Sequence, residues 1–167
     1  MSPEGPRTAV CPGSYDPVTN GHLDIITRAA RVFDRVVVGV VNQPVRKQKT
    51  VFSGEERKAF LAEALSDREN VEVEVFANLL VEFAREEGAT AVVKGLRAIS
   101  DFEYEFEMNQ LNRLLAAEIE SIYIFASAQY SFLSSTGVKE MATFGGDVGE
   151  LVPAPVAKAL AERVKRD

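Results

Sequence analysis

The stretch AVCPGSYDPVTNGHLDII, residues 9–26, contains the single histidine of the chain and predicts the unit on which the fold is built. An apolar run ends at Cys11, a loop rich in proline and polar residues follows, and apolar residues then recur at helical spacing from Leu23. This order predicts a strand, a loop and a helix that begins at Gly21 and His22. Loops at the carboxyl ends of strands in open parallel sheets bind ligands, so the pattern places His22 at a candidate binding site.

The same alternation of strand and helix continues along the chain. Five apolar runs are typical of strands: Thr8–Cys11, Val36–Val41, Val71–Val75, Ala91–Lys94 and Ser121–Phe125. A segment with helical spacing follows each run, which predicts an α/β fold: a Rossmann-like, doubly wound sheet of five parallel strands in one domain spanning residues 1–167. The strict alternation of Val71–Val75 predicts an edge strand, and we expect the other four to be central.

Start signals predict where several helices begin. They open after Ser53, Asn78 and Asp101 and at Pro153, and the Ser53 signal includes Glu56 in a capping-box pattern. The long segment 102–117 has apolar residues at helical spacing, which we expect to face the core: Phe102, Phe106, Leu111 and Leu115.

Composition and charge exclude several classes of protein. With 46% hydrophobic and 26% charged residues, the chain of 167 residues is typical of one globular domain, and we expect neither a membrane-spanning nor a signal segment. A net charge of −6 argues against broad nucleic-acid binding. The single cysteine, Cys11, excludes an internal disulfide and indicates the cytoplasm; we expect it to be a small buried apolar residue rather than a nucleophile.

Phosphate binding is the chemistry that the first loop favours, although neither G-x-G-x-x-G nor G-x-x-x-x-G-K-[ST] occurs. Gly13 and Gly21 allow close approach of a ligand to the backbone, and a helix amino terminus attracts anions. His22 can bind phosphate there, or it can serve only as a helix cap. The hydroxyl run Ser134, Ser135 and Thr136 leaves the same two alternatives open at a later helix.

Two of these stretches resemble a known superfamily. Thr19-Asn20-Gly21-His22, preceded by Gly-x-x-Asp-Pro, resembles the T/H-x-G-H signature of the nucleotidyltransferases. Leu133–Lys139 resembles their I-S-S-T-x-I-R segment, with lysine where arginine is common. In that superfamily the signature histidine contacts the phosphates of a nucleoside triphosphate.

Three further stretches are similar to the phosphopantetheine adenylyltransferases of coenzyme A synthesis: Val93–Arg97, Asp101–Glu105 and Tyr130–Phe132. This similarity implies transfer of AMP from ATP to 4'-phosphopantetheine, giving dephospho-coenzyme A and pyrophosphate. It also implies magnesium as cofactor and a homohexamer. No metal site made of protein side chains is predicted, because magnesium is shared with substrate phosphates and keeps waters.

The resemblance also implies residue roles. The implied catalytic residues are Ser14, His22 and Lys47. The implied ATP site comprises Ser14, Tyr15, His22, Gly95, Leu96, Arg97, Glu105, Tyr130, Ser131, Phe132, Leu133, Ser134, Ser135 and Thr136. The implied site for the phosphorylated acceptor comprises Ser14, Lys47, Leu80 and Lys94.

The basic loop after the second strand leaves one assignment open. Counting from Pro44 selects Arg46 as the catalytic cation, whereas residue type selects Lys47, which we prefer because a flexible ammonium can follow a moving phosphate. A merely solvated basic loop is the alternative.

The expected mechanism is direct attack of the acceptor phosphate on the α-phosphorus of ATP, which needs no strong general base. Two other functions stay open at this point: a related transferase with another acceptor, such as nicotinate mononucleotide or glycerol 3-phosphate, and a non-catalytic nucleotide-binding module.

Overall fold

Strand and helix alternate through the chain, as the sequence predicts. The computed structural model describes residues 5–44 and 49–164. The strands are β1 (Thr8–Gly13), β2 (Arg35–Val41), β3 (Val71–Phe76), β4 (Ala91–Leu96) and β5 (Glu120–Phe125). The helices are α1 (Asn20–Ala29), α2 (Gly54–Ala64), α3 (Leu80–Glu86), α4 (Ile99–Leu115), α5 (Ser135–Thr143) and α6 (Ala154–Val164), with a 3-10 turn at Ala128–Tyr130.

All five strands are parallel and lie in the order β3-β2-β1-β4-β5. The chain moves outward from β1 to β3 and then returns to the other side of β1, where Ala9 pairs with Ala91. The reversal lies between β1 and β4, and the carboxyl ends of the strands at such a point are the usual position of a ligand in these sheets. The predicted Rossmann-like fold is confirmed.

The two outer strands differ in how well the sequence predicted them. The edge position of β3 is confirmed, and its alternate residues Glu72 and Glu74 are exposed. The expectation that the other four strands are central is wrong for β5, which forms the opposite edge. An apolar run such as Ile122-Tyr123-Ile124-Phe125 gives no sign of a missing neighbour, because strand pairing is decided by distant parts of the chain.

The central strand β1 has buried residues on both of its faces. Ala9 and Cys11 join the larger apolar cluster, to which α1, α2, α5 and α6 contribute, and Val10 joins a smaller one on the opposite face with α3. Cys11 is 2% exposed, so the prediction of a buried apolar role is confirmed. Helices therefore cover both faces of the sheet, and its carboxyl edge is left for the loops.

Helix α4 is the main departure from the expected core. It contains no buried residue, and its apolar residues Phe102, Phe106, Leu111 and Leu115 are each about half exposed. The expectation that they face the core is wrong, because helical periodicity identifies an apolar face but not whether the same chain covers it.

Helix starts were predicted with mixed success. Ser53 and Glu56 form the predicted capping box: the Ser53 hydroxyl accepts from the Glu56 amide, and the Glu56 carboxylate accepts from the Ser53 amide at 2.8 Å. In contrast, α4 begins at Ile99 rather than after Asp101, whose carboxylate accepts instead from the Arg97 amide. Similarly, α3 is preceded by Leu79, and the Asn78 side chain donates to Glu86. Among the described residues, no helix has the length and apolar character needed to cross a bilayer.

Candidate active site

The loop between β1 and α1 is shaped by a tyrosine whose side chain turns inward. Tyr15 has a φ of 51°, its side chain is 6% exposed, and its hydroxyl donates to the Cys11 carbonyl at 2.9 Å. A Cβ at Gly13 would lie 3.0 Å from the Tyr15 ring, so glycine is needed to make room for it. The Tyr15 ring is therefore part of the core, and the ATP-binding role implied for this residue stays a prediction that concerns its backbone.

His22 forms a capping box with Thr19 at the start of α1. The Thr19 hydroxyl accepts from the His22 amide at 3.3 Å, and the Thr19 amide donates to Nδ1 of His22 at 3.0 Å. A backbone amide can only donate, so Nδ1 carries the lone pair and Nε2 is the ring nitrogen that carries the hydrogen. The edge of the Tyr15 ring packs against the imidazole, with 5.0 Å between centroids. His22 is therefore a cap whose second nitrogen is set up as a donor, and the two alternatives left open by the sequence are compatible.

The hydroxyl of Ser14 is an unsatisfied polar group at the carboxyl end of β1. Within the described residues, its Oγ is buried without a hydrogen-bond partner. Leaving such a group unpaired costs about 1–3 kcal/mol, which a polar ligand atom would recover. This observation fits the implied contact with the reacting phosphates, which stays a prediction.

The segment before α5 lies against the amino terminus of α1. A Cβ at Gly21 would be 3.5 Å from Cβ of Tyr130, and the hydroxyl of Ser135 donates to the Pro17 carbonyl at 2.8 Å. Ser134 caps α5 by accepting from the Gly137 amide. Capping therefore explains Ser134 and a structural contact explains Ser135, while Thr136 is exposed. Two helix amino termini thus lie close to the same loop.

The carboxyl end of β4 also lies beside the segment that precedes α5. Arg97 donates to the Leu133 carbonyl at 2.8 Å and pairs with Asp101 at 3.3 Å, which links Gly95, Leu96 and Arg97 to the segment 130–136. A Cβ at Gly95 would lie 2.9 Å from the Ile25 side chain, so this glycine lets α1 pack closely on β4. The structure therefore brings the predicted nucleotide residues of β4 and the segment before α5 together.

The predicted acceptor residues are placed less completely. Lys94 forms an ion pair with Glu105 at 2.7 Å, with side chains 19% and 16% exposed. Leu80 is the first residue of α3, which follows the carboxyl end of β3 at the same edge of the sheet. Lys47 and its alternative Arg46 lie outside the described residues.

Two buried charged residues in this region were missed by the sequence analysis. Asp16 is fully buried, and its carboxylate accepts from the amides of Val51 and Phe52 at 3.0 Å and from Nζ of Lys139 at 3.3 Å. Arg57 is also fully buried. Asp16 belongs to the Asp-Pro step of the first loop, which the sequence showed as part of a motif. No sequence signal predicted the burial of Arg57, because charged residues near the start of a helix are ordinarily solvated.

An apolar cavity of about 540 Å³ adjoins the segment before α5. Its lining residues are Phe132, Leu133, Ser134, Gly137, Val138, Glu140, Met141, Phe144, Gly146 and Leu151. Among the described residues, no three His, Cys, Asp or Glu side chains are grouped so as to hold a metal ion.

Comparison with known proteins defines the class and then the family. A family model described as cytidylyltransferase-like matches residues 10–141, so the fold and the site belong to a nucleotidyltransferase. The chain is 52% identical over 158 residues to the phosphopantetheine adenylyltransferase of Rubrobacter xylanophilus, covering 95% of each chain. It is 45% identical to that of Alkaliphilus metalliredigens (94% of this chain, 99% of the relative) and 48% identical to that of Clostridium tetani (93% and 96%). The chain belongs to the phosphopantetheine adenylyltransferase family, which confirms the resemblance inferred from its motifs.

Proposed function

We propose that the chain transfers AMP from ATP to 4'-phosphopantetheine, producing dephospho-coenzyme A and pyrophosphate in coenzyme A biosynthesis. The observation that carries this proposal is the convergence at the switch between β1 and β4. There, the capped amino terminus of α1, the buried Ser14 hydroxyl and the segment held by Arg97 meet.

The chemistry is a direct displacement at phosphorus. An oxygen of the acceptor phosphate forms a bond to the α-phosphorus of ATP, and the bond from that phosphorus to the bridging β-phosphate oxygen breaks. The bonding electron pair leaves with pyrophosphate. Because the acceptor phosphate is already a nucleophile, the protein's task is to hold two anions together and to stabilise the charge in the transition state.

Residue roles follow from this task. The Nε2 hydrogen of His22 is the donor to the reacting phosphates, and the Ser14 hydroxyl bonds a phosphate oxygen. We assign Lys47 to the phosphates as the catalytic cation. The hydrogen bond from the Thr19 amide to Nδ1, which leaves the hydrogen on Nε2, supports the role of His22. The buried, unsatisfied hydroxyl of Ser14 supports the role of that residue.

The acceptor and nucleotide sites share one ion pair. We assign Lys94, with Leu80, to the acceptor and Glu105 to ATP, so the salt bridge between Lys94 and Glu105 connects the two substrates. Gly95, Leu96, Arg97 and the segment 130–136 hold the nucleotide in this assignment.

Magnesium fits the site as a companion of the triphosphate rather than of the protein. The most deeply buried carboxylate near the first loop, Asp16, already accepts from two amides and from Lys139, so it does not present a ligand set. When bound, the ion neutralises phosphate charge.

We propose that copies of the chain associate, with six per assembly on the family's pattern. The exposed apolar face of α4 supports association, since Leu114 is 83% and Ile99 80% exposed. The next strand in the chain, β5, also supports it, because among the described residues one of its edges has no strand beside it. Substituting Phe106 by glutamate should reduce the mass measured by light scattering. A cytoplasmic location stays a prediction, supported by the single cysteine.

The test is a pyrophosphate-release assay with ATP, magnesium and one acceptor at a time. We expect turnover with 4'-phosphopantetheine and none with nicotinate mononucleotide or glycerol 3-phosphate. Turnover with nicotinate mononucleotide alone would overturn the acceptor assignment. Tight ATP binding without pyrophosphate release for any acceptor would indicate the non-catalytic module.

A further inference from the structure

The guanidinium of Arg57, in the first turn and a half of α2, bonds backbone carbonyls from three separate segments. Nη1 donates to the carbonyls of Ser14 and Val41, each at 2.7 Å, and Nη2 donates to that of Asn42 at 2.8 Å. Nε donates to the carbonyls of Phe52 and Ser53, each at 3.1 Å. One side chain therefore joins the loop after β1, the end of β2 and the residues before α2.

The burial of Arg57 makes this arrangement energetically demanding. The side chain is fully buried, and none of its hydrogen bonds goes to a carboxylate among the described residues. Burial lowers the pKa of Arg57, and the charge of Asp16 acts in the opposite direction. A buried charge is tolerated only when its donors are satisfied and its geometry is good.

Asp16 holds one of these segments from the other side. Its carboxylate accepts from the amides of Val51 and Phe52, while Arg57 donates to the carbonyls of Phe52 and Ser53. The two opposite charges therefore fix both the donors and the acceptors of one short stretch of backbone. Ser14 lies two residues before Asp16, so its position is tied to the same pair.

We infer that Arg57 is a positioning residue for adenylyl transfer, whose guanidinium fixes Ser14 relative to residues 41–42 and 52–53. The inference rests on the proposed role of Ser14 in the reaction. A planar guanidinium can serve carbonyls in several fixed directions at once, whereas the ammonium of lysine is a point charge with three donors. The shape of Arg57, and not only its charge, is what the site requires.

The first test compares Arg57→Lys with the control variant Arg35→Lys. Arg35 is another multiply bonded arginine, which pairs with Glu72 and Glu87 at the start of β2, the end of the strand opposite the site. A misplacement of about 1 Å at a reacting group can cost about 10²-fold in rate. We expect kcat of Arg57→Lys to fall by about 10- to 10²-fold with KM for ATP changed much less, because most of the proposed nucleotide contacts lie on β4 and before α5 and only those of the first loop would move. Arg35→Lys should lower the melting temperature but leave kcat within about twofold.

A double-mutant cycle separates positioning from a general loss of structure. If Arg57 acts through Ser14, Arg57→Lys should reduce kcat much less in a Ser14→Ala background than in the wild-type chain. Equal reductions in both backgrounds, or a kcat within about twofold of wild type for folded Arg57→Lys, would overturn the inference. A Ser14→Ala variant with unchanged kcat would also overturn it, by removing the role on which it rests.

Asp16→Asn keeps the test decisive if Arg57→Lys does not fold. This variant leaves every Arg57 donor in place but removes the Asp16 charge and replaces one of the two oxygens that accept from the Val51 and Phe52 amides by an NH2 donor. We expect lower kcat and faster hydrogen exchange confined to residues 14–16 and 49–53; unchanged kcat would count against the inference. A wild-type protein that releases no pyrophosphate would refute the proposed function instead, so the two failures are distinguishable.

Discussion

His22 has one structural role, as a helix cap, and one proposed role in the reaction, and two substitutions separate them. Its Nδ1 accepts from the Thr19 amide at 3.0 Å, which stabilises the start of α1, while Nε2 carries the hydrogen assigned to the phosphates. Alanine at position 22 removes both groups. Glutamine at the same position retains an acceptor for the Thr19 amide, since glutamine suits the third position of a capping box, but it removes the imidazole donor.

The expected magnitudes differ for the two tasks. Loss of one hydrogen bond of this kind lowers the free energy of unfolding by about 0.5–1.5 kcal/mol. For a chain of this size, each kcal/mol lowers the melting temperature by about 2–4 °C. Loss of one donor to a transition state costs about 2.7–4 kcal/mol, or about 10²- to 10³-fold in kcat. We therefore expect His22→Ala to lose both stability and turnover, and His22→Gln to lose turnover while keeping most of its stability.

The assay combines pyrophosphate release at saturating substrates with thermal unfolding followed by circular dichroism. Both variants should show the same loss of kcat, although their melting temperatures differ. A folded His22→Gln variant with turnover close to wild type would refute the reasoning, because the imidazole would then act only as a helix cap.

Four further outcomes are expected. Of Arg46→Ala and Lys47→Ala, we expect Lys47→Ala to lose far more turnover; equal, small losses would indicate a solvated loop. Burial raises the pKa of Cys11 to about 12, so iodoacetamide should label it at neutral pH only after unfolding in urea, as measured by mass spectrometry. The Ser53 amide lowers the pKa of Glu56, so its stabilisation is present above the ordinary value of 4.5 and lost as pH falls through the lowered pKa. In urea titrations, Glu56→Gln should be less stable than wild type at neutral pH, and the difference should vanish in acid. With ATP labelled at the α-phosphate and no acceptor, no label should remain on the protein, whereas stoichiometric label would require a two-step mechanism.

The local parts of the fold could be predicted from the sequence. The predicted β1, loop and α1 differ from the structure by one or two residues, because apolar runs, prolines and capping residues act through neighbours in the chain. The capping box at Ser53 was predicted for the same reason. The family assignment also came from short motifs, which the relatives confirm.

Features that depend on distant partners could not be predicted in this way. The composition of β5 suits either a central or an edge strand. The strand order of the structure, in which β5 lies last and pairs with β4, identifies it as an edge strand. The apolar stripe of α4 looks like a core face until the structure shows it uncovered. The sequence around Arg57 resembles an ordinary solvated helix start, and its burial follows from three loops that meet around it.

The net charge of the chain and the charge beneath the first loop act on different scales. At −6, the whole chain repels polyanions at long range, which is why the composition argues against broad nucleic-acid binding. Around the first loop, however, the described residues include two buried or partly buried cations, Arg57 and Lys139, of which Lys139 pairs with the buried carboxylate of Asp16, and the amino terminus of α1 adds a partial positive charge. Buried charges are screened by salt much less than surface charges. We therefore expect a small anion at this loop to meet these positive charges at short range, while a long polyanion that lies across the surface meets the net negative charge of the chain. We therefore expect the placement of the charges, as well as their sum, to favour a nucleotide over a nucleic acid.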